Sequence, residues 1–238
     1  AGHQKQRVRA AAKVISTNLK CPDILNLVEI QDNNGPLFEG SASAELTLKL
    51  LVQSIDCPSV NYKILNIDPV LHSEGGQPGG NIRVAMLYNA NKVNFRPRPA
   101  KDNLSRTLIA PDGHLENNPG RVLPNNEIFK GTRRSLVAEF DYRGEQIFVI
   151  GNHFNSKLGD SSRWSALQPF SPGSELERTL LADKINSYVE YLEDQCPNAH
   201  IAVLGDFNAY AGENSMDVLA GRVLKNLMTY KKLVPQNQ

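Results

Sequence analysis

The sequence predicts an α/β (α+β) domain in which mixed β-sheets carry helices on their outer faces. Three observations lead there. Segments with apolar residues at helical spacing alternate with short apolar runs through the first part of the chain. A hairpin pattern then interrupts that alternation, which argues against one purely parallel sheet. No internal repeat, low-complexity tract or linker divides the 238 residues, so residues 1–238 are expected to form a single domain around a sizeable core.

Taken in order, Val8, Ala11, Ala12, Ile15 and Leu19 recur at helical spacing with basic residues between them, predicting a helix over 3–19. DILNLVEI (23–30) reads as a buried strand. Ser41 is a candidate N-cap for a helix whose stripe is Ala44, Leu48, Leu51 and Ile55. YKILNID (62–68) and NIRVAMLYN (81–89) read as strands, the second entered through GGQPGG. Residues 96–130 show no periodicity, and so long a loop in a compact domain is usually functional. Strands at 135–142 and 146–153 flank the turn YRGE. After a second long loop, Ser174 and Glu177 have capping-box spacing at the head of a helix carrying Leu180, Leu181, Ile185, Tyr188, Val189 and Leu192. HIAVLGDFNAY (200–210) is a strand that breaks into a polar turn, and SMDVLAG (215–221) is a brief helix.

Composition narrows the function classes. Lys and Arg number 26 against 25 Asp and Glu, a net charge of +1, which excludes a strongly basic nucleic-acid coat and leaves room for a local basic cleft. No apolar run has the length of a membrane span, and no basic-then-apolar leader opens the chain. The chain opens inside a helical pattern, so a processed or truncated form is expected. Each of the three cysteines precedes a proline, and all three could lie along one sheet edge. Without C-x-x-C spacing a zinc site is not expected. Two states remain open, a single disulfide such as Cys21–Cys57 or three unpaired, inert thiols, and the thiols are the bland expectation.

Chemistry collects at three strand ends, LVEIQDNNG, GNHFNSK and LGDFNAY, where apolar runs pass directly into carboxylate, imidazole or amide. Glu29 sits between Val28 and Ile30, where burial is costly unless a cation neutralises it, and all-oxygen ligation suits Mg²⁺. The bland alternative is a surface glutamate or a buried ion pair. Asp206 and Asn208 are two apart, so on an extended segment both face one way. The aspartate could take a proton from an attacking water, while an Asx-turn is the bland alternative. His153 differs from His3, His72, His114 and His200 in standing at a strand end with Asn155 and Lys157 following at two-residue steps. A lone strand-end histidine is otherwise a hydrogen-bonded structural group. Basic residues gather at Lys92, Arg96, Arg98, Lys101 and Arg106, and again at Lys130, Arg133 and Arg134, as phosphate contacts or as solvated loop.

Together PDILNLVEIQDNNG, GGNIRVAMLYN, NPGR (118–121), TRRSLVAEF (132–140), GNHFNSK, LQPF (167–170) and LGDFNAY, in that order, resemble the endonuclease/exonuclease/phosphatase (deoxyribonuclease I-like) superfamily. The nearest likeness is to its bacterial extracellular nuclease-like branch. The resemblance implies a four-layer sandwich, two mixed sheets face to face with helices outside. It implies a metal-dependent phosphodiester hydrolase, a secreted nuclease acting on DNA or RNA by in-line attack of water. Glu29 is the implied Mg²⁺ ligand, with Ca²⁺ and Mn²⁺ as other candidates. His153, Asp206 and Asn208 are the implied catalytic residues, and Arg133 and Asn155 the implied phosphate contacts. An extracellular or periplasmic monomer is implied, with nucleic acid as its partner. The family's opening strand ending in asparagine, and its closing aspartate and Ser-Asp-His segment, have no counterpart here, so terminal strands are expected to be missing. The alternatives are a phosphatase or phosphodiesterase of inositol phosphates or phospholipids, or a degenerate module that binds without cleaving.

Overall fold

The apolar runs become strands, and they sort into two sheets. The computed structural model describes residues 2–161, 164, 166, 168 and 173–230. Of the LQPF segment only Gln168 falls among them, and residues 231–238 lie outside them.

The first sheet holds β1 (Ile24–Ile30), β2 (Tyr62–Asn66) and β3 (Arg83–Asn89) in the order β1-β3-β2, all antiparallel. The second runs β4 (Asn94–Phe95), β6 (Leu136–Tyr142), β7 (Glu145–His153) and β8 (His200–Asp206), with β5 (Gly120–Arg121) also paired to β6. This sheet is mixed, because β7 and β8 are parallel. The β6–β7 hairpin turns on Arg143 and Gly144, both at positive φ, as a two-residue turn matching strand twist requires.

Alternation along β6 divides the core. Leu136, Ala138 and Phe140 join Leu65, Val84 and Met86 in a cluster that unites side chains of both sheets. From the other face, Val137 packs with Phe148 and Ile150 of β7 against Leu181, Ile185, Tyr188 and Val189 of α3 (Gly173–Gln195). Burying each such aliphatic or aromatic group is worth roughly 1.5–3 kcal/mol. On the first sheet, Tyr62 and Leu87 pack with Ala12 of α1 (Gly2–Lys13) and Leu51 of α2 (Glu45–Ser54). After β8 comes α4 (Asn214–Ala220), whose Leu219 joins the α3 cluster.

Several expectations are corrected. The first helix does not run regularly to Leu19: it widens into a π-helical turn over Val14–Asn18, leaving Ala11 and Leu19 exposed. Ser41 does not cap α2. Asn33 Oδ1 accepts from the amides of Leu46 and Thr47 instead, a cap supplied from a distant loop. At the head of α3 the Ser174–Glu177 box gives way to Asp160, which accepts from both the amide and the hydroxyl of Ser174. The stretch 96–130 is not structureless, since it contributes β5 and a 3-10 turn, Glu127–Phe129. Cys21 and Cys57 form a disulfide, joining the end of the first helical region to the entry of β2. Cys196 is free and buried beside the other sheet, so the three cysteines do not share one edge. No helix among the described residues is long and apolar enough to cross a membrane.

Candidate functional site

Parallel pairing of β7 with β8 sets His153 level with Asp206, because the register places each directly beside the other. β1 reaches the same place from the facing sheet. One glycine permits that approach, and a second permits the close pairing of β8 with β7. A Cβ at Gly151 would lie 2.1 Å from Asn26 Oδ1 of β1, and one at Gly205 would lie 2.0 Å from the Asn152 carbonyl oxygen. Larger residues there would push the three strands apart.

Glu29 enters through a break in β1. The β1–β3 register shifts between Leu27 and Ile30, and Glu29 takes φ +56°, outside the strand region. Its side chain is consequently 66% exposed and reaches across to His153, with Nε2 3.9 Å from Glu29 Oε1. Of the alternatives left open for Glu29, the exposed glutamate is the one the structure shows. The bulge turns the group into solvent at the cleft mouth.

His153 is the buried member, only 4% exposed. Desolvation, reinforced by the Arg133 charge, holds its pKa below the ordinary histidine value, against the opposing pull of Asp206 and Glu29. That shift favours the neutral imidazole over the imidazolium. Nδ1 is buried without a hydrogen-bond partner. Its neighbour Asn152 is fully buried and pinned, accepting from the Ser135 hydroxyl at 2.7 Å and donating to the Ile150 carbonyl at 3.1 Å.

Arg133 is buried beside these groups and donates from one terminal nitrogen to the Phe154 carbonyl at 2.6 Å. Burial pushes its pKa down, and the charges of Glu29 and Asp206 oppose that shift. Asn208 donates to the same Phe154 carbonyl at 3.1 Å. Asp206 and Asn208 do not project together from an extended segment as the two-residue spacing suggests. The strand ends at Asp206, whose Oδ1 accepts from the Asn208 amide at 2.9 Å, and Asn208 takes φ +49°. An Asx-turn and a place in the cluster coincide.

Asn155 stands one step away. It donates to Glu177 at 2.6 Å and, with Arg133, borders a cavity of about 420 Å³. Lys157 pairs with Glu213 and lies 4.2 Å from the Tyr210 ring centroid, so this cation is engaged outside the cluster. Of the first basic stretch, Lys92 pairs with Asp23 and Arg98 with Asp112. Arg134 pairs with Glu74, which also approaches the buried Arg121 and accepts from the Arg134 amide. Sequence reading passes over Asn26, Ser135 and Glu74, since their partners are far away along the chain.

Among the described residues no group of three or more His, Cys, Asp or Glu side chains forms a metal cage. Glu29 and Asp206 are nonetheless hard, outward-facing oxygen donors on the two sides of the cleft. A cation that keeps most of its waters and takes one or two protein carboxylates fits that set, whereas zinc does not.

No family model matches the chain, and no curated protein matches it. Among solved structures it is similar to truncated TDP2 of Caenorhabditis elegans, with 17% identity and a TM-score of 0.49 over 88% of this chain and 58% of that one. It is similar to the human Nocturnin catalytic domain with bound sulfate, with 13% identity and a TM-score of 0.47 over 91% and 62%. A β-hairpin deletion mutant of beta toxin from Staphylococcus aureus matches at 15% identity and a TM-score of 0.48, over 91% and 64%. The chain spans less than two thirds of the length of each.

Proposed function

We propose that the chain is a single-domain phosphodiester hydrolase core, built as a four-layer sandwich and acting on nucleic acid outside the cell. The carrying observation is the meeting of a buried His153 and a buried Arg133 with the wet carboxylates of Glu29 and Asp206. A guanidinium held at the cleft wall suits a non-bridging phosphate oxygen. Neutral His153 faces the cleft through Nε2, and a proton there donates to a phosphate oxygen without competing for one. Asp206 orients and deprotonates the attacking water, with Asn208 keeping that carboxylate in place through the Asx-turn. Glu29 would hold Mg²⁺, which would supply charge stabilisation at the leaving oxygen. The Cys21–Cys57 disulfide supports an oxidising, extracellular setting.

The test is hydrolysis of plasmid DNA and of an oligonucleotide, with Mg²⁺ and with chelator. Magnesium-dependent cleavage that Glu29→Gln and Asp206→Asn each lower at least a hundredfold is expected. Cleavage indifferent to chelator or to both substitutions sinks the reading. A second reading is phosphate binding without turnover, and oligonucleotide binding with no cleavage is its signature.

A further inference from the structure

Charge is spread unevenly along the chain. Residues 1–20 hold five of the 26 Lys and Arg and none of the 25 Asp and Glu, so the remainder is net acidic. Such segregation in a nearly neutral protein suits an anionic partner for the basic segment. Lys5, Arg7, Arg9 and Lys13 stand on α1 and Lys20 beyond it, and all five are exposed. Among the described residues none of them forms an ion pair, whereas Lys92, Arg98 and Arg222 pair with Asp23, Asp112 and Glu190. Glu45 of the neighbouring α2 is committed to Lys49, and Asp56 pairs with none of the five.

The arrangement is unfavourable to the helix itself. Lys5, Arg9 and Lys13 follow one another at four-residue steps, where like charges repel, and Lys5 lies in a first turn that holds no acid. Packing of Val8, Ala12 and Ile15 with Leu25, Leu27 and Leu51 keeps the segment on the fold. The basic side chains do not belong to the cleft. Along β1, Leu25 and Leu27 face α1 while Ile24 and Val28 face the second sheet, so the helix lies on the far side of β1 from β7 and β8. A lipid surface is a poor match, because α1 has no Trp, Phe or Leu to insert. A nucleic-acid backbone needs only cations. Those of the stripe stand about 6 Å apart along the helix axis, and a duplex with a charge every ~1.7 Å offers each of them a phosphate.

We propose that α1 and Lys20 form a second nucleic-acid contact, an anchoring surface that grips the phosphate backbone outside the cleft. The choice of polyanion rests on the proposed hydrolysis. Binding is read with chelator present and without turnover, so the failure of either reading shows separately.

The probe is a fluorescein-labelled DNA duplex of about thirty base pairs, titrated by anisotropy in EDTA between about 50 and 200 mM salt. Lys5→Gln, Arg9→Gln and Lys13→Gln together are expected to weaken binding at the lower salt at least tenfold. They should also lower the slope of log affinity against log salt by about 2–3. Gln is about as good a helix former as the residues it replaces, so the urea midpoint should hold. The same change at Lys184, Arg222 and Lys225, on α3 and after α4, is expected to leave binding and slope unchanged. In the unmodified protein the duplex should shift the amide NMR signals of residues 5–13, which reads the contact without any substitution. The proposal is overturned if both triple variants weaken binding equally, which means that net charge alone is at work, or if the signals of residues 5–13 stay fixed. It is likewise overturned if the helix binds vesicles of phosphatidylglycerol and not the duplex, which makes the surface a membrane contact.

Discussion

β7 and β8 run parallel, side by side, with similar apolar sequences and a titratable group at each end, yet they occupy opposite environments. β7 lies between β6 and β8, and its residues 148–153 are buried. Among the described residues β8 has one neighbour, and its residues are half-exposed or exposed. The difference passes directly to chemistry. His153 is desolvated, which favours its neutral form, while Asp206, level with it in the ladder, stands in water. One strand pair thereby offers a hydrogen-bond donor that is not an ion and, next to it, a charged carboxylate free to engage water or a cation. Apolar sequence alone does not set a strand's environment; the number of its neighbours does.

That contrast can be broken at graded cost. The largest effect is expected at Asp206→Asn, which removes the exposed carboxylate without disturbing packing. Phosphodiester cleavage should fall about 10²–10⁴-fold with an unchanged urea midpoint; a shifted midpoint with cleavage retained would reverse the assignment. Next, Ile150→Ala in β7 should cost about 2–5 kcal/mol in denaturant unfolding. Val203→Ala in β8 should cost about 1 kcal/mol or less, because half of that side chain is already hydrated. Equal costs would show that β8 is covered in solution. Reducing the Cys21–Cys57 disulfide should remove about 2–4 kcal/mol, the value for a loop of this size. The loss should appear as faster amide exchange in α1 and α2 while α3 is spared. The smallest effect is a pH dependence. His153 has a folded pKa below the ordinary value of about 6.5, so both states are neutral above that value and stability is at its full level there. As pH falls below it the unfolded chain takes up the proton first, and stability is lost down to the depressed folded value. Thermal melts between pH 5 and 8 should show this slope, and His153→Gln should flatten it.

The residues that converge are largely those a reader of the chain would pick. His153, Asp206, Glu29 and Arg133 stand where apolar runs end or a hairpin begins, and strand ends over a sheet are where loops carry chemistry. Less legible was how each is presented. Glu29 invited a reading as buried because Val28 and Ile30 flank it, and only the bulge against β3 shows it facing out. Asn208 invited a reading by strand period, and the chain had already left the strand. Helix caps escape local rules for the same reason. Ser41 and Ser174 satisfy local rules, while Asn33 and Asp160 do the capping from loops that folding brings near.

The chain alone specified where strands and helices lie, which faces are apolar, and which polar groups end the strands, because those follow from local period and residue type. Packing alone chose the neighbours. It set β1 and β8 at the edges and β7 inside, joined Cys21 to Cys57 rather than leaving three thiols, and gave His153 and Asp206 opposite solvation. Those outcomes depend on contacts between residues far apart in sequence, and no local pattern encodes a distance across the core.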